Sequence, residues 1–284
     1  MNKSISALLA RIPIILKLRK VFLRYQRGMS YFRPKVKRVR KWALQDSEFS
    51  NYYYSLTDKN LHELHCLLVA ISKEDPSEIR RYIDEIHLNE QLQFELTRQI
   101  EFDGTRRLNP ISFGRRIGWY ALIRMLKPRL VVETGVHQGV GACVISEALQ
   151  KNAIDGHVGR YVGTEINPNH GKLFKSNYSD TGEILYGDSI TSLMNLTNGD
   201  VDIFINDSDH DSEYERKEYE VIGNKLSKNG IILGDNSHVT GSLLEYSILN
   251  GRKFLLFREE PFDHWYPGGG IGISIPNIPL RPFQ

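Results

Sequence analysis

Val131-Val132-Glu133-Thr134-Gly135-Val136-His137-Gln138-Gly139-Val140-Gly141 decides the fold. Two β-branched residues lead into an acid, a glycine-rich turn follows, and Ala142 to Leu149 reads as a helix. A buried strand, a tight turn and a helix in that order present backbone N–H groups and a carboxylate at the carboxyl edge of a parallel sheet. The spacing then excludes the commonest ligands of such a turn. A dinucleotide fingerprint needs glycine at 135, 137 and 140, but 137 is His and 140 is Val; the glycines stand at 135, 139 and 141. No Gly-Lys-Ser/Thr follows, so the phosphate-loop pattern fails too.

Four more strand ends follow in order. Arg160-Tyr161-Val162-Gly163-Thr164-Glu165 ends in an acid 32 residues after Glu133. A carboxylate there can accept both hydroxyls of a ribose, and the gap is longer than the roughly 20 residues usual for a dinucleotide site. Ile184-Leu185-Tyr186-Gly187-Asp188-Ser189, Val201-Asp202-Ile203-Phe204-Ile205-Asn206-Asp207 and Gly230-Ile231-Ile232-Leu233-Gly234-Asp235-Asn236 are the third, fourth and fifth. Helical stretches between them predict an α/β, doubly wound, Rossmann-like sheet. Phe254 to Phe257 and Gly270 to Ile275 complete seven strands, the last antiparallel.

The acid-x-Gly-x-x-x-Gly pattern at 133–139, with these strand ends, resembles the class I S-adenosyl-L-methionine (AdoMet) methyltransferases from about Ile111 to Pro276. The resemblance implies that Glu133, Gly135, Gln138 and Gly139 form the cofactor loop and that Glu165 takes the ribose. It assigns Asp188 and Ser189 to the adenine and sets Asp207 beside the donor. The lead-in Ile111-Ser112-Phe113-Gly114-Arg115-Arg116-Ile117-Gly118-Trp119-Tyr120 leaves two roles open for Tyr120, a border to the methionine end or a packing aromatic.

Asn206-Asp207-Ser208-Asp209-His210-Asp211 and Gly234-Asp235-Asn236-Ser237-His238 end strands expected to be neighbours. Two carboxylates and an amide oxygen make a hard-oxygen set suited to Mg²⁺. This pattern resembles the metal-dependent O-methyltransferases of the catechol and macrolide-sugar types. The resemblance implies Asp207, Asp235 and Asn236 as metal ligands, with Asp209 in reserve, His210 as general base and His238 behind them. The chemistry has its own logic. A hydroxyl is too weak an acid to attack a methyl sulfonium at neutral pH, a bound Mg²⁺ lowers its pKa, and an imidazole takes the proton. The alternative is that these acids are loop or helix-cap residues with no metal.

Charge divides the chain. Residues 1–45 hold 13 Lys or Arg and no acid, leaving 46–284 with 24 basic and 34 acidic residues, a net of −10. From Pro13 the sequence predicts a helix with Ile15, Leu18, Phe22 and Tyr25 on one stripe and Lys17, Lys20, Arg24 and Arg27 about 200° round. A second basic run follows at 33–41. Three fates fit this amphipathic arm (1–45): docking on the body or a second copy, attachment to an anionic membrane surface through 13–41, or binding of nucleic acid. Nucleic acid is disfavoured, since a basic patch alone reads nothing. No run of about 20 apolar residues occurs, so no membrane-spanning segment is expected. The expected setting is the cytoplasm, with peripheral attachment at the inner face of a membrane as the arm's contribution. The two cysteines, Cys66 and Cys143, have no metal or redox spacing.

Residues 46–110 read as a helical cap, with Leu61, Leu64, Leu68 and Ile71 on one helix and Ile79, Ile83 and Ile86 on the next. His62-Glu63-Leu64-His65 is one residue short of a metalloprotease motif. Pro261 to Gly268 reads as a turn that walls a pocket or covers the sheet edge. The expectation is thus an AdoMet-dependent O-methyltransferase (111–284) that methylates a hydroxyl of a sugar, glycoconjugate or small metabolite with Mg²⁺, as a monomer or homo-oligomer. The alternatives are a metal-independent methyltransferase acting on another nucleophile and a non-catalytic binding protein that retains the fold.

Overall fold

The computed structural model describes residues 13–45, 50–100, 110–235 and 237–283. The chain divides into two compact units, residues 1–47 with 263–266, and residues 48–262 with 267–284.

The first unit is built on α1 (Pro13–Ala43). This one helix takes in both basic runs and continues through Pro34. Proline removes the N–H that would serve the carbonyl of Ser30. Ser30 and Pro34 are both exposed, so water can take that bond. The last turn of α1 meets the turn at 263–266: Lys41 pairs with Asp263, and the Trp42 ring lies edge-on to His264 at 5.6 Å and Trp265 at 6.1 Å. The turn expected to wall a pocket or cover the sheet edge therefore gives part of its aromatic surface to Trp42. No helix among the described residues is long and apolar enough to cross a membrane.

The second unit opens with α2 (Asp58–Ile71), α3 (Pro76–His87), α4 (Glu90–Gln99) and α5 (Arg116–Leu126). Thr57 caps α2 by accepting the Asn60 N–H at 3.2 Å, and Asp75 caps α3 ahead of its first-turn proline. The predicted apolar stripes are buried: Leu61, Leu64, Leu68 and Ile71 on α2, Ile79, Ile83 and Ile86 on α3. His62 is exposed on the outer face. The cap helices and the sheet belong to one compact unit.

There follow β1 (Leu130–Thr134), α6 (Val140–Ile154), β2 (Arg160–Glu165), a 3₁₀ turn at Ser176–Thr181, β3 (Gly182–Tyr186), α7 (Ser189–Met194), β4 (Val201–Asn206), α8 (Ser212–Gly223), β5 (Leu226–Gly234), α9 (Ser242–Leu249), β6 (Lys253–Arg258) and β7 (Gly270–Ile275). The sheet order is β3-β2-β1-β4-β5-β7-β6. The first five strands run parallel, and β7 lies antiparallel between β5 and β6. This is the doubly wound seven-stranded sheet that the strand ends predicted.

Successive strand residues face opposite sides. Val132, Val162, Phe204 and Ile232 pack with Tyr219 and Ile222 of α8 and Leu243 of α9. Each large apolar side chain buried this way contributes about 1.5–3 kcal/mol. Among the fully buried acids is Glu218 of α8. It accepts hydrogen bonds from Thr134 Oγ1 at 3.3 Å, Ser208 Oγ at 2.7 Å, Asn206 Nδ2 and Ser189 Oγ. Four donors after β1, β3 and β4 thus converge on a single carboxylate. Burial still pushes its pKa up, against the pull of those donors.

Glu218→Ala would leave those donors without a partner, each buried orphan costing about 1–3 kcal/mol. We expect urea denaturation to register a loss on the order of 3 kcal/mol, partly recovered in Glu218→Gln; a loss below about 1 kcal/mol would show that the carboxylate does not tie the strand ends.

Candidate active site

The opposite face of the same strands carries the predicted acids. Val132 and Thr134 face α8, so Glu133 faces α6, where a Cβ added to Gly141 would meet its Oε1. By the same alternation Glu165, Asp207 and Asp235 emerge on this side of the carboxyl edge. Asn206 pairs with Gly234 across β4 and β5, and the Asp235 N–H donates to the Asn206 carbonyl at 2.9 Å. Asp207 and Asp235 are therefore in register on adjacent parallel strands. Two carboxylates about 4.8 Å apart repel by roughly 3 kcal/mol at an effective dielectric of about 20.

Arg115, just before α5, resolves that repulsion. Its Nε is in ion-pair contact with Asp235 Oδ1, not aligned as a hydrogen bond, and its Nη2 lies 4.0 Å from Asp207 Oδ1. Glu259, which follows β6, completes the ring of acids and accepts the Tyr54 hydroxyl at 2.8 Å. Burial opposes the charge on Arg115, but Asp207 and Glu259 outweigh it and hold its pKa above the usual guanidinium value. Burial raises the pKa of Asp207, with Arg115 and Arg116 opposing.

The two predicted metal ligands do converge, but on a guanidinium. A divalent ion does not fit this arrangement. Asp235 is already ion-paired and only 5% exposed. Among the described residues, no group of three His, Cys, Asp or Glu side chains within ligand distance includes either acid. Asn236 lies outside the described residues. Asp209 is exposed and its Oδ1 accepts the N–H of Asp211.

The glycine loop sits beside this cluster. Gly135 has φ +83°, and a Cβ there would fall 2.0 Å from the Asp207 carbonyl oxygen, so only glycine lets the β1 and β4 ends pass. Gly139, at φ +102°, precedes α6. The carbonyls of His137 and Gln138 are taken by the N–H groups of Gly171 (2.6 Å) and Leu173 (3.2 Å). The first turn of α6 directs its N–H groups out of the helix start, where an anionic group is favoured. Glu165 Oε2 accepts the His137 N–H at 2.7 Å; Oε1 accepts the Asn167 N–H at 2.9 Å and lies 3.2 Å from His170 Nδ1. A carboxylate has about four lone-pair sites, so one remains for a ribose hydroxyl. The rings of His170 and Tyr52 flank that of His137 at 5.0 and 5.5 Å.

Other predicted residues have structural work of their own. Glu133 is buried under the start of α6, where Tyr161 donates to its Oε2 at 2.5 Å, and burial pushes its pKa up to about 8. Asp188 caps α7 through Thr191 and accepts the Tyr214 hydroxyl, which lowers its pKa. Ser189 is buried on Glu218. Tyr120 is a packing aromatic: it is fully buried, and its hydroxyl donates to Glu85 at 3.0 Å. His210 is exposed one residue before the α8 cap, close enough to Asp207 to affect its titration. His238 Nδ1 lies 3.2 Å from the Asp235 carbonyl oxygen.

The residues that sequence reasoning missed are Arg115, Glu259, Tyr54, Tyr52, His170 and Glu218. Arg115 left a legible trace, a basic residue inside the otherwise apolar lead-in to α5. The partners of Glu259, Tyr54 and Tyr52 are remote in the chain, which hid them.

Residues 132–237 match a family model described as a methyltransferase domain. Among curated proteins, none matches this chain. Solved structures similar to it include an O-methyltransferase from Bacillus cereus in complex with SAH, at 14% identity over 86% of this chain and 100% of that one, with a TM-score of 0.45. An SAH-bound methyltransferase from Podospora anserina is 17% identical over 80% of this chain and 100% of that one, with a TM-score of 0.46. A methyltransferase from Geobacter sulfurreducens is 15% identical over 78% and 100%, with a TM-score of 0.46.

Two experiments probe the electrostatics. The folded pKa of Glu133, about 8, is above its ordinary unfolded value of about 4.3. The folded protein therefore holds the extra proton between those values, and stability falls as pH rises from about 5 to 8, by at most about 1.4 kcal/mol per pH unit. Glu133→Gln removes that slope, so the variant gains on wild type as pH rises; a stability difference that stays constant from pH 5 to 8 would refute the titration. Arg115→Met leaves Asp207 and Asp235 without a counter-charge, an expected loss of about 3–5 kcal/mol at neutral pH. That loss shrinks in acid as the carboxylates protonate. Denaturation at both pH values checks this, and wild-type stability at neutral pH would sink the clamp.

Proposed function

We propose that this chain, whose residues 132–237 match a methyltransferase domain, transfers the methyl group of AdoMet to a hydroxyl of a sugar, a glycoconjugate or a small metabolite. One observation carries the reading: the glycine loop with Glu165 and the Asp207–Arg115–Asp235 cluster share one carboxyl edge and one face of the sheet, with His210 near enough to Asp207 to affect its titration. AdoMet sits with its ribose on the free lone pair of Glu165 and its methionine end toward the loop and the start of α6. The acceptor hydroxyl enters beside Asp207. His210 takes its proton as the oxygen attacks the methyl carbon, the carbon–sulfur bond breaks, and S-adenosylhomocysteine leaves with that electron pair on sulfur. Holding oxygen, carbon and sulfur in line supplies much of the rate. Arg115 keeps both acids in place, and no step passes through a metal.

The Mg²⁺-assisted reading keeps one supporting observation, the side-by-side carboxylates, but requires Arg115 to leave them. A chelator separates the two: turnover that is lost with chelator and restored by Mg²⁺ would return Asp207 and Asp235 to an ion.

Glu165→Ala should weaken AdoMet binding at least about ten-fold by calorimetry, about 1.4 kcal/mol. His210→Ala should cut methyl transfer to a hydroxyl acceptor by about 10²–10⁴-fold while cofactor affinity stays near wild type. Equal turnover would remove His210 as base. AdoMet binding by the wild type without transfer to any acceptor in a panel of sugars, glycoconjugates and polyols would leave a binding protein that retains the fold.

A further inference from the structure

Helix α1 carries an apolar stripe that stays exposed among the described residues. Ile14, Leu18, Val21, Tyr25, Phe32 and Val36 recur at helical spacing over six turns and are each between 44% and 67% exposed. Off the stripe lie eleven Lys or Arg and no acid, with Leu16, Phe22, Leu23 and Tyr31 among them, on a helix that at about 1.5 Å per residue is roughly 46 Å long. The contacts with the 263–266 turn come from Lys41 and Trp42, which lie off the stripe. They cover none of it.

We propose that α1 lies flat on an anionic lipid bilayer, with the stripe among the acyl chains and the bases at the headgroups. Charge complementarity selects this occupant. A second copy meeting along the same stripe would bring eleven positive charges onto each side with no acid between them. Nucleic acid would satisfy the bases and leave the stripe in water. An anionic bilayer satisfies both faces together. Trp42 and Trp265 stand together at the C-terminal end of the helix, the residue type that settles at a membrane–water boundary. Pro34 does not obstruct this placement, since its missing bond is on the polar side.

The test is sedimentation of the full-length chain with vesicles, either neutral phosphatidylcholine or the same lipid with about one-third phosphatidylserine. We expect at least about ten-fold more binding to the anionic vesicles and loss of it at high salt. Leu18→Gln with Phe32→Gln keeps the charge and should lower that binding about ten-fold. AdoMet affinity and thermal unfolding of the second unit serve as controls and should stay unchanged. Equal binding to both vesicle types, binding to neither, or wild-type binding by the double variant would each overturn the proposal. So would a concentration-dependent dimer that the double variant abolishes, which assigns the stripe to a second copy. Binding to single-stranded RNA, tighter than to the vesicles and indifferent to the double variant, would overturn it in favour of nucleic acid.

Discussion

Two acids in register at the ends of adjacent parallel strands cannot both be buried and charged without a cation between them. Asp207 and Asp235 are such a pair, and Arg115 is the cation. The segments that meet there are set by this need. Arg115 lies between the cap helices and the sheet in sequence, Glu259 ends β6, and Tyr54 comes from the segment before α2. A single charge cluster thus ties the cap, the centre of the sheet and its antiparallel edge at one place. That is a physical reason for the cap and sheet to form one compact unit rather than a lid on a hinge.

The other face of the sheet solves the inverse problem. Thr134, Asn206, Ser189 and Ser208 are donors at strand ends or just beyond, and the buried acceptor they share is Glu218. The carboxyl edge is therefore gripped from both sides, by a guanidinium among carboxylates on one face and a carboxylate among donors on the other. The loops that leave the edge start from fixed points. His210 can be exposed and still be well placed, because Ser208 is tied to Glu218 and Asp211 caps α8 on either side of it.

The sheet was legible because parallel strands buried on both faces read as short apolar runs, each here ended by an acid or amide. The run at 270–275 coincides with β7, and the cap stripes were plain from their 3.6-residue spacing. What stayed hidden depends on long separations. Arg115 is 92 and 120 residues from its two acids, and no local spacing links them. Asp188 also caps a helix, since a strand end followed by a helix start needs a cap and the Thr191 N–H donates to it.

Replacing an ion by a guanidinium changes what the neighbouring groups must do. A coordinated divalent ion lowers the pKa of a hydroxyl directly, so a weak base suffices beside it. A guanidinium carries a diffuse charge, and here ion pairing sets that charge between Asp207 and Asp235. Little of that charge is left to acidify an acceptor. In the proposed reaction the proton would then go to a neutral base as the methyl moves, the part proposed for His210. The surplus of carboxylates over bases in the cluster would favour a donor that carries positive charge on sulfur. That attraction would end once the methyl had left and the sulfur was neutral, so under the same proposal the acids beside Arg115 would also favour release of the spent cofactor.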